Sequence, residues 1–108
     1  IHMLFHTSGK YFSEILEESK KKPVLVDFYA SWCMPCRILE PELDAFSEIY
    51  YQKISAYSVN VDTDAKLAEC YQIKNLPTVI IFHNQQPVQR WEKEISITEI
   101  EKFITSMI

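Results

Sequence analysis

The strongest constraint on the fold comes from residues 24–30, a largely apolar segment that leads into a long amphipathic one. A run rich in β-branched and aromatic residues is typical of a strand that is covered on both faces. Residues 34–51 place Leu39, Leu43 and Phe46 four and three positions apart, which predicts a helix with one buried face. The sequence therefore predicts a buried strand followed by a long helix.

Further strands are predicted from runs of apolar and β-branched residues that are bounded by turn-forming residues. These segments lie at residues 54–61, 78–82 and 88–92, with a short candidate at residues 4–6. The turn at residues 84–87 predicts that the last two strands form an antiparallel hairpin.

Helical patterns occupy the remaining segments. Residues 11–20 form one predicted helix, which ends before Pro23. The run Asp62-Thr63-Asp64 can cap a short helix, and Ser96 with Glu99 forms a capping box for the last one. We expect the three helices to bury Phe12, Ile15, Leu16, Leu67, Tyr71, Ile97, Ile100 and Ile104.

The order of these elements predicts an α/β fold, in which four helices flank a central mixed sheet of four or five strands. We expect the sheet to be largely parallel, with the hairpin as an antiparallel edge. A length of 108 residues suits one domain, which we assign to residues 4–108. Residues 1–3, Ile1-His2-Met3, resemble a cloning remnant before a start codon.

Charge and hydropathy exclude two classes of partner. The net charge is −4 and no basic cluster is present, so we expect no nucleic-acid binding. No apolar stretch approaches the ~20 residues that span a bilayer, and we expect no membrane association. The default interpretation is a monomer in the cytoplasm. Removal of a leader sequence would allow an extracytoplasmic location instead.

Trp32-Cys33-Met34-Pro35-Cys36 falls between the buried strand and the long helix. Cys33 should lie at the helix start, where unpaired N–H groups and the helix dipole stabilise an accessible thiolate. Cys36 follows one helical turn later on the same face and could displace a partner bound to Cys33. Pro35 suits the first helical turn. The motif therefore indicates redox chemistry.

Asp27 interrupts the most apolar strand of the chain. A buried carboxylate is unfavourable unless it is paired or protonated, so its pKa should be raised. Such groups are candidate proton shuttles. The alternative is an aspartate on an exposed face of an edge strand.

Several segments together resemble the thioredoxin family in sequence and spacing, over nearly the whole chain from Leu4 onward. The matching segments are Val24-Leu25-Val26-Asp27-Phe28, Ala30-Ser31-Trp32-Cys33-Met34-Pro35-Cys36-Arg37, Pro41, Asn60-Val61-Asp62 and Leu76-Pro77-Thr78. The resemblance implies a thioredoxin fold and a thiol–disulfide oxidoreductase, with no cofactor beyond the cysteine disulfide. A cytosolic setting favours reduction of protein disulfides, with electrons supplied by a reductase such as thioredoxin reductase, whereas an extracytoplasmic setting would allow oxidation or isomerisation.

The resemblance further implies a role for each matching site residue. Cys33 would be the attacking thiol, Cys36 the resolving thiol and Asp27 the acid–base group that serves Cys36. Pro77 would be a cis proline beside the cysteines, and the backbone of Leu76 would pair with an extended partner segment. The remaining substrate-binding residues would be Trp32, Met34 and Pro35.

Several positions depart from the family pattern. Glycines common in the family are replaced by Met34, Asn75, Gln85 and Lys93, and Ser58 occupies the place of a lysine near the buried aspartate. A lysine where a partner backbone normally approaches would obstruct it. We therefore hypothesise a specialised member with a restricted set of partners.

Two alternatives belong to other classes. A zinc module could use Cys33, Cys36, Cys70 and His83, although only one short-spaced pair exists among them. A thioredoxin-fold interaction or chaperone module would carry its cysteines without catalytic turnover. In the redox interpretation Cys70 is a packing or partly exposed thiol, and the histidines at strand ends, His6 and His83, are surface residues.

Overall fold

Five strands form one mixed sheet in the computed structural model, which describes residues 2–108. The strands are β1 (Leu4–His6), β2 (Val24–Tyr29), β3 (Ser55–Asn60), β4 (Thr78–His83) and β5 (Gln86–Glu92). The helices are α1 (Phe12–Glu18), α2 (Met34–Ile49), α3 (Ala65–Cys70) and α4 (Ile97–Met107), and a 3₁₀ turn (Gly9–Tyr11) precedes α1. The α/β fold, with its mixed sheet and four helices, is confirmed.

The strand order is β1-β3-β2-β4-β5. Strands β1 and β2 pair parallel with β3, whereas β4 runs antiparallel to both β2 and β5. The prediction of a largely parallel sheet was therefore wrong for β4. The segment between β3 and β4 contains only the six-residue α3, which rises ~9 Å, and it does not cross the sheet. Strand β4 therefore starts at the end where β3 finishes, because Phe28 pairs with both Val59 and Thr78.

The central strand β2 alternates its side chains between two apolar layers. Leu25 packs with residues of α2 and α4 on one face, including Leu43 and Ile100. Val24 and Val26 face the other layer, which contains residues of α1 and α3. Burial on both faces confirms the prediction made from the apolar run.

The antiparallel pairing of β2 and β4 brings two chain segments to the same end of the sheet. Phe28 near the end of β2 pairs with Thr78 at the start of β4. The residues that follow β2, including Cys33, therefore lie beside those that precede β4, Leu76 and Pro77. This arrangement positions the candidate site.

Two local predictions need correction. Asp64 occupies the N-cap position of α3 but makes no capping hydrogen bond, because its carboxylate accepts the N–H of Gly9 at 2.7 Å instead. The last strand begins at Gln86 rather than Val88, since a two-residue loop of Asn84 and Gln85, both with positive φ, closes the hairpin. The cap at Ser96 is confirmed: its Oγ accepts the N–H of Glu99 at 3.3 Å.

Among residues 2–108, no helix is both long and apolar enough to cross a bilayer.

Candidate functional site

A disulfide joins Cys33 and Cys36 at the amino-terminal end of α2. Cys33 is the N-cap of this helix, and its Sγ accepts the backbone N–H of Cys36 at 3.3 Å. The Cα atoms lie 5.3 Å apart. The sulfurs are therefore on the same side of the chain, and a thiolate on Cys33 would accept this N–H at the positive end of the helix dipole.

The two cysteines differ in their access to solvent. Cys33 is 6% exposed and lines an open groove of about 630 Å³, whereas Cys36 is 2% exposed and does not reach the groove. The sequence predicts an accessible first sulfur, and in the disulfide form this access is confined to the groove. A partner sulfur can approach Cys33 from this side, while Cys36 stays behind it.

Four of the five predicted substrate-binding residues line this groove: Trp32, Met34, Pro35 and Leu76. The fifth, Pro77, lines an adjoining groove together with Met34 and Pro35. The Leu76–Pro77 peptide bond is cis, as the family resemblance implied. The structure therefore brings all five residues together around Cys33.

The surface around the disulfide carries exposed apolar side chains. Trp32 is 71% exposed, and its Nε1 donates a hydrogen bond to the Asp62 carboxylate at 2.8 Å. Met34 is also exposed, and so is Ile38, which lies one turn further along α2. The sequence analysis missed Ile38; its signal was an apolar residue on the polar side of an amphipathic helix.

Lys93 lies at the rim shared by the two grooves. Its φ is +68°, a conformation that glycine adopts without strain, and its N–H donates to the carbonyl of Pro77 at 2.9 Å. Asn75, where the family resemblance implied a glycine, donates from Nδ2 to Glu92 at 2.8 Å. Side chains thus occupy space that a glycine would leave open.

Asp27 is buried in the centre of the sheet, with 1% of its surface exposed. Its Oδ1 has no hydrogen-bond partner among the residues that the structure describes. Burial, and to a smaller extent the negative charge of Glu40, raise the pKa of Asp27 from 3.8 to about 7. The prediction of a buried carboxyl with a raised pKa is confirmed, and the exposed-edge alternative is wrong.

Ser58 is the residue of β3 that pairs with Asp27. It is 2% exposed, and its Oγ lies 2.8 Å from Nδ1 of His6. His6 itself is exposed, as predicted, but its contact with a buried hydroxyl was not foreseen. A contact between residues 52 positions apart leaves no local sequence signal.

The other candidate residues lie elsewhere. Cys70 is an exposed free thiol at the end of α3. His83 was predicted to be a surface residue, but it is half-buried, and its Nδ1 has no partner within residues 2–108. No three His, Cys, Asp or Glu side chains in that part of the chain are grouped as metal ligands. The four residues of the zinc alternative are not brought together.

Comparison with known proteins adds an independent line of evidence. The family model described as Thioredoxin matches residues 3–106. The chain is 32% identical over 102 residues to "Thioredoxin" of Buchnera aphidicola subsp. Schizaphis graminum, covering 94% of this chain and 93% of that protein.

Two other relatives are longer proteins. "Thioredoxin Y, chloroplastic" of Oryza sativa subsp. japonica is 41% identical over 97 residues, covering 90% of this chain and 57% of the relative. "Bifunctional thioredoxin reductase/thioredoxin" of Mycobacterium leprae is 37% identical over 84 residues, covering 78% of this chain and 18% of the relative. The chain therefore spans less than two thirds of either protein.

Proposed function

The chain belongs to the thioredoxin family of thiol–disulfide oxidoreductases, and from this premise we propose that it reduces the disulfides of partner proteins through Cys33 and Cys36. The observation that carries the proposal is the disulfide at the N-cap of α2, with only Cys33 facing the groove. A protein-disulfide reductase needs one sulfur that a partner can reach and a second that is protected until the first has reacted.

The reaction has two exchange steps. In the dithiol form, the Cys33 thiolate attacks one sulfur of the partner disulfide, forming a mixed disulfide and releasing the other partner sulfur as a thiolate. Cys36 then loses its proton and attacks the Cys33 sulfur, which releases the second partner thiolate. Two electrons pass to the partner, and the Cys33–Cys36 disulfide forms.

Asp27 is the proton acceptor for Cys36 in this proposal. The raised pKa of about 7 suits a group that takes up and releases a proton near neutral pH. Asp27 lies on the face of β2 covered by α2, because Leu25, two residues earlier, packs there with Leu39 and Leu43. Cys36 is buried on α2 one turn before Leu39.

The groove selects the partner. An extended segment would pair with the backbone of Leu76 while its apolar side chains contact Trp32 and Met34. The side chains of Met34 and Lys93 narrow the space that such a segment can occupy. These residues support a restricted partner set.

Electrons must be returned to the disulfide after each turnover. A reductase is the proposed donor, and one relative is named as a reductase joined to a thioredoxin. The dithiol form needs a reducing compartment such as the cytoplasm. The cysteines themselves carry the electrons, so the proposal requires no cofactor.

Trapping tests the proposed reaction. A Cys36→Ser variant should accumulate mixed disulfides with partner proteins that dithiothreitol releases, whereas a Cys33→Ser variant should trap none. Absence of trapped species with Cys36→Ser, combined with undiminished partner binding by Cys33→Ser, would instead support the interaction-module alternative. Turnover of a general protein disulfide at the rate of an ordinary thioredoxin would contradict the restricted partner set.

A further inference from the structure

A row of three polar side chains crosses the sheet from its centre to its edge. Asp27 of β2 pairs with Ser58 of β3, and Ser58 pairs with His6 of the edge strand β1. Residues paired in register point to the same face of a sheet. The row therefore leads from a buried carboxyl, through a buried hydroxyl, to an exposed imidazole.

The outer half of the row is connected by direct contacts. Ser58 Oγ lies 2.8 Å from His6 Nδ1, and the hydroxyl of Tyr29 lies 3.4 Å from the same nitrogen. A serine hydroxyl both donates and accepts, so it can pass a proton between two neighbours. Hydroxyls on two strands therefore converge on one ring nitrogen.

The two outer residues of the row, Ser58 and His6, border a cavity. A space of about 500 Å³ between β1, β3 and α2 is lined by Ser58, His6, Glu40 and Asp44. Leu4, Phe5 and Pro41 complete the lining, and the volume has room for several water molecules, each of which needs ~30 Å³. A water on Ser58 would connect this hydroxyl to the unpartnered Oδ1 of Asp27 on the neighbouring strand.

Ionisable side chains surround this cavity on several elements. Glu40 and Asp44 face it from α2, Asp27 and Tyr29 belong to β2, and His2 lies at its rim. Negative charge from Glu40 contributes to raising the pKa of Asp27, the inner end of the row.

From this geometry we propose that His6 is a proton-relay residue, which exchanges protons between Asp27 and solvent through Ser58 and the water of this cavity. The inference rests on the proposed reductase function. When Cys36 attacks Cys33, its proton passes to the Asp27 carboxylate and then through Ser58 and water to the His6 imidazole. The imidazolium releases the proton to bulk water, and the departing partner thiolate is protonated from solvent.

The test compares His6→Gln with a matched control, His2→Gln. His2 lines the same cavity, but its Nδ1 contacts Asp44 at 3.0 Å instead of Ser58. The rate of mixed-disulfide resolution is measured in single turnovers from pH 5.5 to 9, by acid quenching and mass. We expect His6→Gln to slow resolution at least about tenfold near pH 7, with partial rescue by added imidazole.

Ser58→Ala should reproduce the loss without rescue, and His2→Gln should leave the rate unchanged. Formation of the mixed disulfide by Cys33 should be normal in all three variants. A wild-type rate and pH profile in His6→Gln would overturn the proposal.

If the wild type forms no mixed disulfide, this outcome refutes the reductase function and leaves the relay without a readout. A second measurement then tests the relay. The exchange of the Asp27 carboxyl proton with solvent, measured from the broadening of the carboxyl ¹³C signal near pH 7, should be slower in His6→Gln than in the wild type. Equal exchange rates in the two proteins would also overturn the relay.

Discussion

Asp27 and Glu40 lie on facing elements, β2 and α2, and the negative charge of Glu40 helps to raise the pKa of Asp27. Glu40 is exposed, whereas Asp27 is almost fully buried. An exposed residue on a helix therefore adjusts the protonation of a group in the centre of the sheet.

Replacing Glu40 by glutamine should lower the pKa of Asp27. The value should stay above 3.8, because burial is the larger cause of the shift and is unaffected. Titration of the Asp27 carboxyl by ¹³C NMR measures the effect. Glu42→Gln, a neutralisation on the same helix outside the groups that shift Asp27, is the control. An unchanged Asp27 titration in Glu40→Gln would contradict this electrostatic link.

Replacing Asp27 by asparagine should stabilise the oxidised protein at high pH. In the native state the Asp27 carboxyl keeps its proton up to about pH 7, whereas in the unfolded chain it loses the proton near pH 3.8. The free energy of unfolding of the wild type therefore falls as pH rises between these values, by at most about 4 kcal/mol. Urea unfolding at pH 4 and pH 8.5 should show a variant advantage only at the higher pH; an equal advantage at both would refute the assignment.

Replacing Asp44 by asparagine should have the opposite effect on stability at high pH. Although burial acts to raise it, the pKa of Asp44 is lowered by the N–H groups of Met3 and Leu4 and by His2. Its ionised form therefore stabilises the fold above pH 3.8, and this contribution is lost in the variant. The same urea series should show Asp44→Asn destabilised at pH 8.5 relative to wild type, with a smaller difference at pH 3. A stabilised variant at pH 8.5 would be incompatible with this account.

Gln85→Gly should stabilise the hairpin between β4 and β5. Gln85 has a φ of +68°, a conformation that costs a residue with a Cβ ~1–2 kcal/mol. Part of this gain is offset by the greater freedom of glycine in the unfolded chain, which leaves a net effect of about 0.5–1 kcal/mol. The midpoint of urea unfolding measures it. Gln89→Gly, in the middle of β5, should be destabilising; stabilisation by both variants would argue against the turn geometry.

Lys93→Gly should broaden the range of substrates. The substitution removes a side chain from the rim of both grooves, and it places a glycine where a positive φ disfavours a residue with a Cβ. We expect kcat/KM for a general protein disulfide to rise about fivefold, equivalent to ~1 kcal/mol. Lys93→Ala, which removes the amine but keeps the Cβ, should give a smaller increase. Equal or lower kcat/KM in Lys93→Gly would show that this rim does not limit partner access.

Local patterns were sufficient to predict most of the elements and the centre of the site. The apolar run of β2 and the four-and-three spacing of Leu39, Leu43 and Phe46 depend on neighbours in the sequence, so they are visible in it. The placement of Cys33 at a helix start follows from the same two elements. Burial of Asp27 follows because both of its chain neighbours are apolar.

Contacts between distant segments could not be predicted in this way. The run Asp62-Thr63-Asp64 was expected to cap α3, but the N–H of Gly9, 55 positions from Asp64, binds the carboxylate of Asp64. The contact of Ser58 with His6 and the effect of Glu40 on Asp27 likewise depend on how strands and helices pack. A single sequence carries the identities of these residues but not their distances.

The two edge strands of the sheet also affect the tendency of the protein to aggregate in concentrated solution. Strand β1 has three residues, and β5 contains Pro87 next to an irregularity in its pairing with β4. Short borders, prolines and bulges each interrupt the row of N–H and C=O groups onto which a strand of another molecule could add. Growth of intermolecular sheets from the native fold is therefore discouraged on both sides.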